Sequence, residues 1–242
     1  MIVSENWGKI GLVTIDRHER RNALDIEHCQ GLRSEVEKLG SAGVRALVIT
    51  GRGTSFCSGA DLRGVYSDGF RTALYDMLKS ITALPVPVIA AVNGPAVGAG
   101  TQLAIACDLR VTAPSATFAV PTARNGLAVD PWTVRRLALL AGGGAARSML
   151  LGCRTFDADR AHALGLVDCL GNLDEALERA TEIAEMAPLS LHYSKRALES
   201  LFEPDTWEDE LNSSFDACWE SEDLAEGRRA SVEKRKPRFR GR

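Results

Sequence analysis

The sequence is poor in the groups that usually announce metal, redox or phosphate chemistry. Its four histidines, His18, His28, His162 and His192, form no HxxxH, and none stands near a cysteine pair. Its six cysteines, Cys29, Cys57, Cys107, Cys153, Cys169 and Cys218, lie far apart with no CxxC. That is the pattern of reduced, mostly buried thiols, so no metal site is expected and the cytoplasm is the default compartment. No apolar run approaches the roughly 20 residues of a membrane span, and the N-terminus lacks the charged-then-apolar layout of a signal peptide. A formal net charge of -3 gives no basic field for nucleic acid. GRGTSF is followed by no GK[ST], which excludes a phosphate loop, and no repeat of fixed period is present.

What is there is a chain of 242 residues, 45% hydrophobic and 25% charged, which fits one large domain with a small appendage. Lys9–Asp16 alternates as a strand, and Asp25 is placed to cap a helix carrying Cys29, Leu32, Val36 and Leu39. Ala46–Thr50 reads as a buried strand and Arg71–Ile81 as a helix. Val86–Val92 and Leu109–Ala113 are further strands. Helices follow at about Pro131–Ala141, Ala145–Leu151 and Asp157–Leu164, with a short strand at Leu166–Cys169. From Leu173 to Glu233 the pattern is helical, and the tail KRKPRFRGR is basic. Strands and helices mix to about residue 170 and helices alone follow, which describes an α/β core with a helical C-terminal piece.

Two glycine-bearing turns follow buried strands. One is Ser58-Gly59-Ala60-Asp61; the other is Gly98-Ala99-Gly100, where a helix should start near Gly98 or Ala99. Backbone N–H groups at such a start suit an oxygen that carries or develops negative charge. The plainer reading, that glycine permits tight turns and close packing, stands beside it. A dinucleotide fingerprint is a distant rival, because NGPAVGAG lacks the GxGxxG spacing and a convincing acidic partner downstream. Cys57 and Ser58 have no histidine at any motif that would activate them as nucleophiles.

FCSGADL followed by PVIAAVNGPAVGAGTQLAIACDLR resembles the enoyl-CoA hydratase/isomerase family, the crotonases. RHERRNAL near the start, DADRAHALGLVD after the middle and SVEKRKPRF at the end extend the likeness in order over nearly the whole chain. The resemblance implies a spiral of ββα units with a C-terminal helical region that builds trimers, usually paired into hexamers. It divides the chain into a core over residues 1–190 and an oligomerisation region over 191–242. It implies an acyl-CoA or enoyl-CoA ligand and no separate cofactor, with the thioester oxygen held by the N–H groups of Ala60 and Ala99.

The departures from the family pattern matter as much. Hydration in this family resembles a two-carboxylate reaction, and the matching positions here are Gln102 and Thr122. Neither an amide nor an aliphatic hydroxyl accepts a proton near neutral pH, and general acid–base groups contribute typically about 10²–10⁴ in rate. Binding is therefore expected to survive while hydration is weak or absent. Asp130, in GLAVDPWTVRRL, resembles the aspartate that acts as base or nucleophile in dienoyl-CoA isomerases and a CoA-thioester dehalogenase. Asp-Pro before an apolar helix is equally an N-cap with proline at N1.

For the CoA body, the resemblance implies Arg21 and Ala23 near the adenine, and Asp61 and Leu62 alongside it mainly through backbone. Arg63 and Lys234 would approach the phosphates, and for both the bland reading as solvated cations remains open. Lys236, Arg238, Arg240 and Arg242 read as a solvated arm. Phe118, Leu127 and Trp132 are large apolar residues around the expected acyl pocket, but such residues are more often core than ligand wall and none is assigned to the site; Asp108 reads as a structural anchor. Two hypotheses follow. The first is an acyl-CoA-binding protein of fatty-acid or lipid metabolism acting as carrier, sensor or deliverer to a protein partner. The second is an active isomerase, hydratase or other thioester enzyme using Asp130.

Overall fold

In the computed structural model residues 1–61, 67–202, 216 and 219–238 are described. The chain opens with β1 (Ile2–Asn6) and β2 (Ile10–Ile15), then α1 (Ile26–Ser41), β3 (Ala46–Gly51) and α2 (Asp68–Ala83). There follow β4 (Val88–Val92), β5 (Ala96–Val97), α3 (Ala99–Ala106), β6 (Leu109–Thr112) and β7 (Thr117–Ala119). Next come α4 (Pro131–Ala141), α5 (Gly143–Leu150), β8 (Phe156–Asp157), α6 (Ala158–Ala163) and β9 (Cys169–Leu170). Helices α7 (Leu173–Ala184), α8 (Pro188–Glu199) and α9 (Glu222–Val232) close the described chain.

One sheet of order β1-β2-β3-β4-β6-β9 is parallel except for the β1–β2 pair, and β5-β7-β8 form a second, smaller sheet. Every residue of β3 and β4 is buried, because the main sheet is covered on both faces. Alternation sorts these residues: Leu47, Ile49, Val88 and Ala90 join the large core with α1, α2 and α3. Ala46, Val48, Ile89 and Ala91 join a second core against α7. There Ala176, Ala180 and Ala184 recur every fourth residue, and their small side chains let the helix lie close to the strands.

Most helices start on a polar side chain. Asp25 accepts the His28 N–H at 2.9 Å, and Asp130 accepts the Thr133 N–H at 3.1 Å. Helix α3 is different: Gly98, with φ +54°, precedes it, and no side chain caps it. Asp108 anchors the far end, accepting the Val88 N–H at 2.7 Å and the buried Lys195 ammonium at 2.9 Å. Lys195 thereby fastens α8 to the core.

Two features differ from the expected pattern. Strand β1 and the two- and three-residue strands β5, β7 and β8 were not expected, since such short pieces are strands only through their partners. The Leu166–Val167 run is not in the sheet; both N–H groups donate to the Ala161 carbonyl at 3.0 and 3.2 Å and close α6, so the strand begins at Cys169. Among the described residues no helix is long and apolar enough to cross a membrane.

Candidate functional site

The segment after β3 and the segment after β4 are laced together by backbone. Cys57 N–H donates to the Pro95 carbonyl at 3.1 Å, and Val97 N–H returns to the Cys57 carbonyl at 3.0 Å. A β-carbon on Gly59, whose φ is +105°, would sit 2.8 Å from the Val97 carbonyl oxygen and 3.9 Å from Ala99 N. The two glycine-bearing turns are therefore in contact. On the other side, Leu24 N–H donates to the Gly59 carbonyl at 2.8 Å and Asp61 N–H to the Leu24 carbonyl at 2.7 Å. Ala60 lies between these bonds, and among the described residues no acceptor takes its N–H. Ala99 is the first residue of α3, so its N–H has no intrahelical acceptor.

Both alanines line one cavity of about 130 Å³, together with Gln102 and Thr122. Phe70, Leu74 and Tyr75 of α2 and Leu127 and Val129 form apolar wall, and Trp219 reaches it from the C-terminal region. No Asp, Glu, His or Lys is among its described lining residues; Arg71 is the cation there. Arg71 stacks on Trp219, 4.9 Å from the ring centre, and pairs with Asp68 and Asp216.

Asp130 sits behind the wall. Gln102 Nε2 donates to Asp130 Oδ2 at 3.3 Å and to Thr133 Oγ1 at 2.9 Å, while Thr133 Oγ1 donates to Asp130 Oδ2 at 2.6 Å. The Tyr75 hydroxyl is hydrogen-bonded to Asp130 as well; burial, and then the negative charge of Asp130, push it well above the ordinary phenol range. It stays neutral at physiological pH. Tyr75 and Thr133 had not been singled out in the sequence. Thr133 carried a signal, standing three residues after a capping aspartate, whereas Tyr75 looked like one more wall residue of α2.

The other expected residues that are described, Leu127 apart, lie outside the cavity wall. Arg21 is exposed at φ +50°, its carbonyl accepting the Ser58 N–H at 3.0 Å. The Ala23 carbonyl and the Asp61 carboxylate both accept from the Arg17 guanidinium. Lys234 is exposed at φ +52° just beyond α9. Leu62 and Arg63 fall outside the described residues. Phe118 and Trp132 belong to the core rather than the cavity, Trp132 stacking with Arg136. Burial pushes the Cys57 thiol up to about 12, which leaves it protonated and unsuited to nucleophilic work. Among the described residues no group of three or more His, Cys, Asp or Glu is placed to hold a metal.

The family model for enoyl-CoA hydratase/isomerase matches residues 5–242. The chain belongs to the enoyl-CoA hydratase/isomerase family. Within that family, it is 43% identical over 230 residues to the probable enoyl-CoA hydratase echA6 of Mycobacterium tuberculosis, covering 95% of each chain. It is 36% identical over 254 residues to a putative enoyl-CoA hydratase of Thermus thermophilus, covering 98% of this chain and all of the relative. Of solved structures, EchA1_1 from Mycobacterium paratuberculosis matches with a TM-score of 0.88 at 32% identity, over 100% of this chain and 98% of that one. The α/β architecture, with ββα order at β4-β5-α3 and helices at the C-terminus, is the crotonase fold.

Proposed function

We propose that this protein binds fatty acyl-CoA thioesters with the carbonyl on the N–H groups of Ala60 and Ala99, and that it hydrates enoyl-CoA weakly or not at all. The single observation that carries the reading is the cavity itself. Its wall offers two unengaged backbone donors but, among the described residues, no carboxylate and no imidazole. Two N–H groups aimed at a thioester oxygen stabilise negative charge in the ligand without moving a proton. Hydration needs a group that takes a proton from water and one that delivers it to carbon. Gln102 and Thr122 do neither.

The CoA body would run outward past Arg21, Ala23, Asp61, Leu62 and Arg63, with Lys234 on the phosphates. The apolar wall of Phe70, Leu74 and Leu127 fits an acyl chain. Leu189, Tyr193, Leu198 and Leu201 are exposed at the C-terminal end of the chain, which supports assembly into a trimer or hexamer. A carrier or sensor in lipid metabolism that hands its ligand to a protein partner would need no more than this. Calorimetry with saturated acyl-CoAs and with free CoA tests the reading. Acyl-CoA should bind at least tenfold more tightly than CoA, and equal affinity would remove the acyl site from the account.

A second reading keeps Asp130 as a base. It is favoured by the hydrogen bonds that join Asp130 to Gln102 and Tyr75, both on the cavity wall. A shift of either partner would open a path from the carboxylate to bound thioester, as an isomerase requires.

A further inference from the structure

The segment after β3 that carries Ala60 is braced from outside the cavity by the turn between β2 and α1. Arg17 is the hub of that brace, with a side chain 14% exposed. Its guanidinium donates to the Ala23 carbonyl at 2.8 Å and to Asp61 Oδ2 at 3.0 Å, and lies 3.1 Å from Asp25 Oδ2. Its backbone closes a ring with Asn22: Arg17 N–H donates to Asn22 Oδ1 at 3.0 Å, and Asn22 N–H returns to the Arg17 carbonyl at 3.0 Å. Asn22 is fully buried in left-handed backbone, φ +57°, and its Nδ2 donates to the Arg52 and Ser55 carbonyls at 2.9 and 2.7 Å. Asn22 thus holds the chain on the way into the Ala60 segment, and Arg17 holds it on the way out at Asp61.

A left-handed backbone at a residue other than glycine persists where the surroundings impose it. Here three side-chain hydrogen bonds impose it. The guanidinium fork meets its acceptors at fixed angles, so it constrains direction as well as distance. Ala60 sits one residue from Asp61, and a donor that polarises a thioester must lie within a few tenths of an ångström of its place.

We infer that Arg17 is a positioning residue for the thioester site: by gripping Asp61 and the Ala23 carbonyl it sets the aim of the Ala60 N–H at the ligand oxygen. This rests on the acyl-thioester reading above. It assigns Arg17 no contact with the acyl group. Removing the fork should therefore weaken polarisation of a thioester that is still bound.

The test uses the full-length protein and para-dimethylaminocinnamoyl-CoA, whose absorption moves to the red as its carbonyl is polarised. Wild-type protein should give a red shift on binding. Measured at saturating ligand, Arg17→Met should lose at least half of the red shift of the bound thioester, whatever its affinity for free CoA. Arg17→Lys, which keeps the charge and one donor, should fall between the two and serves if the methionine variant does not fold. A full wild-type shift in either folded variant overturns the inference, as does a parallel loss of free-CoA and thioester affinity with the shift intact. A wild-type complex with no red shift overturns the thioester reading itself, and this inference with it.

Discussion

Gln102 presents an amide donor to the Asp130 carboxylate, its Nε2 3.3 Å from Oδ2. An ionised carboxylate only accepts, so Asp130 requires a donor at that position, and glutamate at 102 would face it with like charge. The two residues form a matched pair, completed by Thr133 and Tyr75. The absence of a glutamate on α3 and the presence of Asp130 before α4 are two sides of one arrangement.

Gln102→Glu should therefore destabilise the protein by about 1–3 kcal/mol at neutral pH. Adding Asp130→Asn restores a donor facing an acceptor and should recover most of the loss. Thermal or denaturant melts of the four members of this cycle at neutral pH measure the coupling.

Asp130 caps α4, and its replacement separates capping from chemistry. Asp130→Ala should cost about 0.5–2 kcal/mol in a melt, and Asp130→Asn less, because asparagine caps about as well. Affinity for saturated acyl-CoA should stay within about threefold in Asp130→Asn. If instead Asp130 is a base, that same variant abolishes whatever isomerase turnover the wild type shows.

Gly100→Ala should disturb both stability and binding. Its β-carbon would lie 2.0 Å from the Cys57 carbonyl oxygen, so α3 must move away from the segment after β3 that it abuts. We expect a loss of about 1–3 kcal/mol in a melt and weaker acyl-CoA binding, because Ala99 moves with the helix.

The C-terminal tail should be acid-sensitive in a defined window. Hydrogen bonds from Arg235, and then from the Arg238 N–H, lower the Glu226 carboxyl from 4.5 to about 2. Its folded value lies below its unfolded one, so its contribution is complete above about 4.5 and is lost as pH falls toward 2. Hydrogen exchange of residues 226–238 should stay protected down to the upper value and rise below it. Glu226→Gln should show raised exchange already at neutral pH.

Much of this was legible in the chain before its fold was known. Caps and periodicity announced α1 and α4, and Gly98-Ala99-Gly100 announced an uncapped helix start; each signal is local, and α3 begins at Ala99. What escaped was long-range. Strands β5, β7 and β8 exist only through pairing with one another and, for β5, with the Cys57 segment. Tyr75 reads as an apolar-face residue of α2 until the loop bearing Asp130 is folded against it. RHERRNAL holds three arginines, and sequence alone gives no reason why Arg17 rather than Arg20 or Arg21 turns inward.

The most direct measurement follows the conjugated absorbance of crotonyl-CoA and longer enoyl-CoAs in the presence of the purified protein, beside a two-glutamate hydratase of the same family. Saturable binding is expected, with turnover lower by a factor of at least about 10²–10⁴. Hydration at the comparison enzyme's rate would contradict it, because the cavity would then have found a proton carrier that Gln102 and Thr122 do not supply.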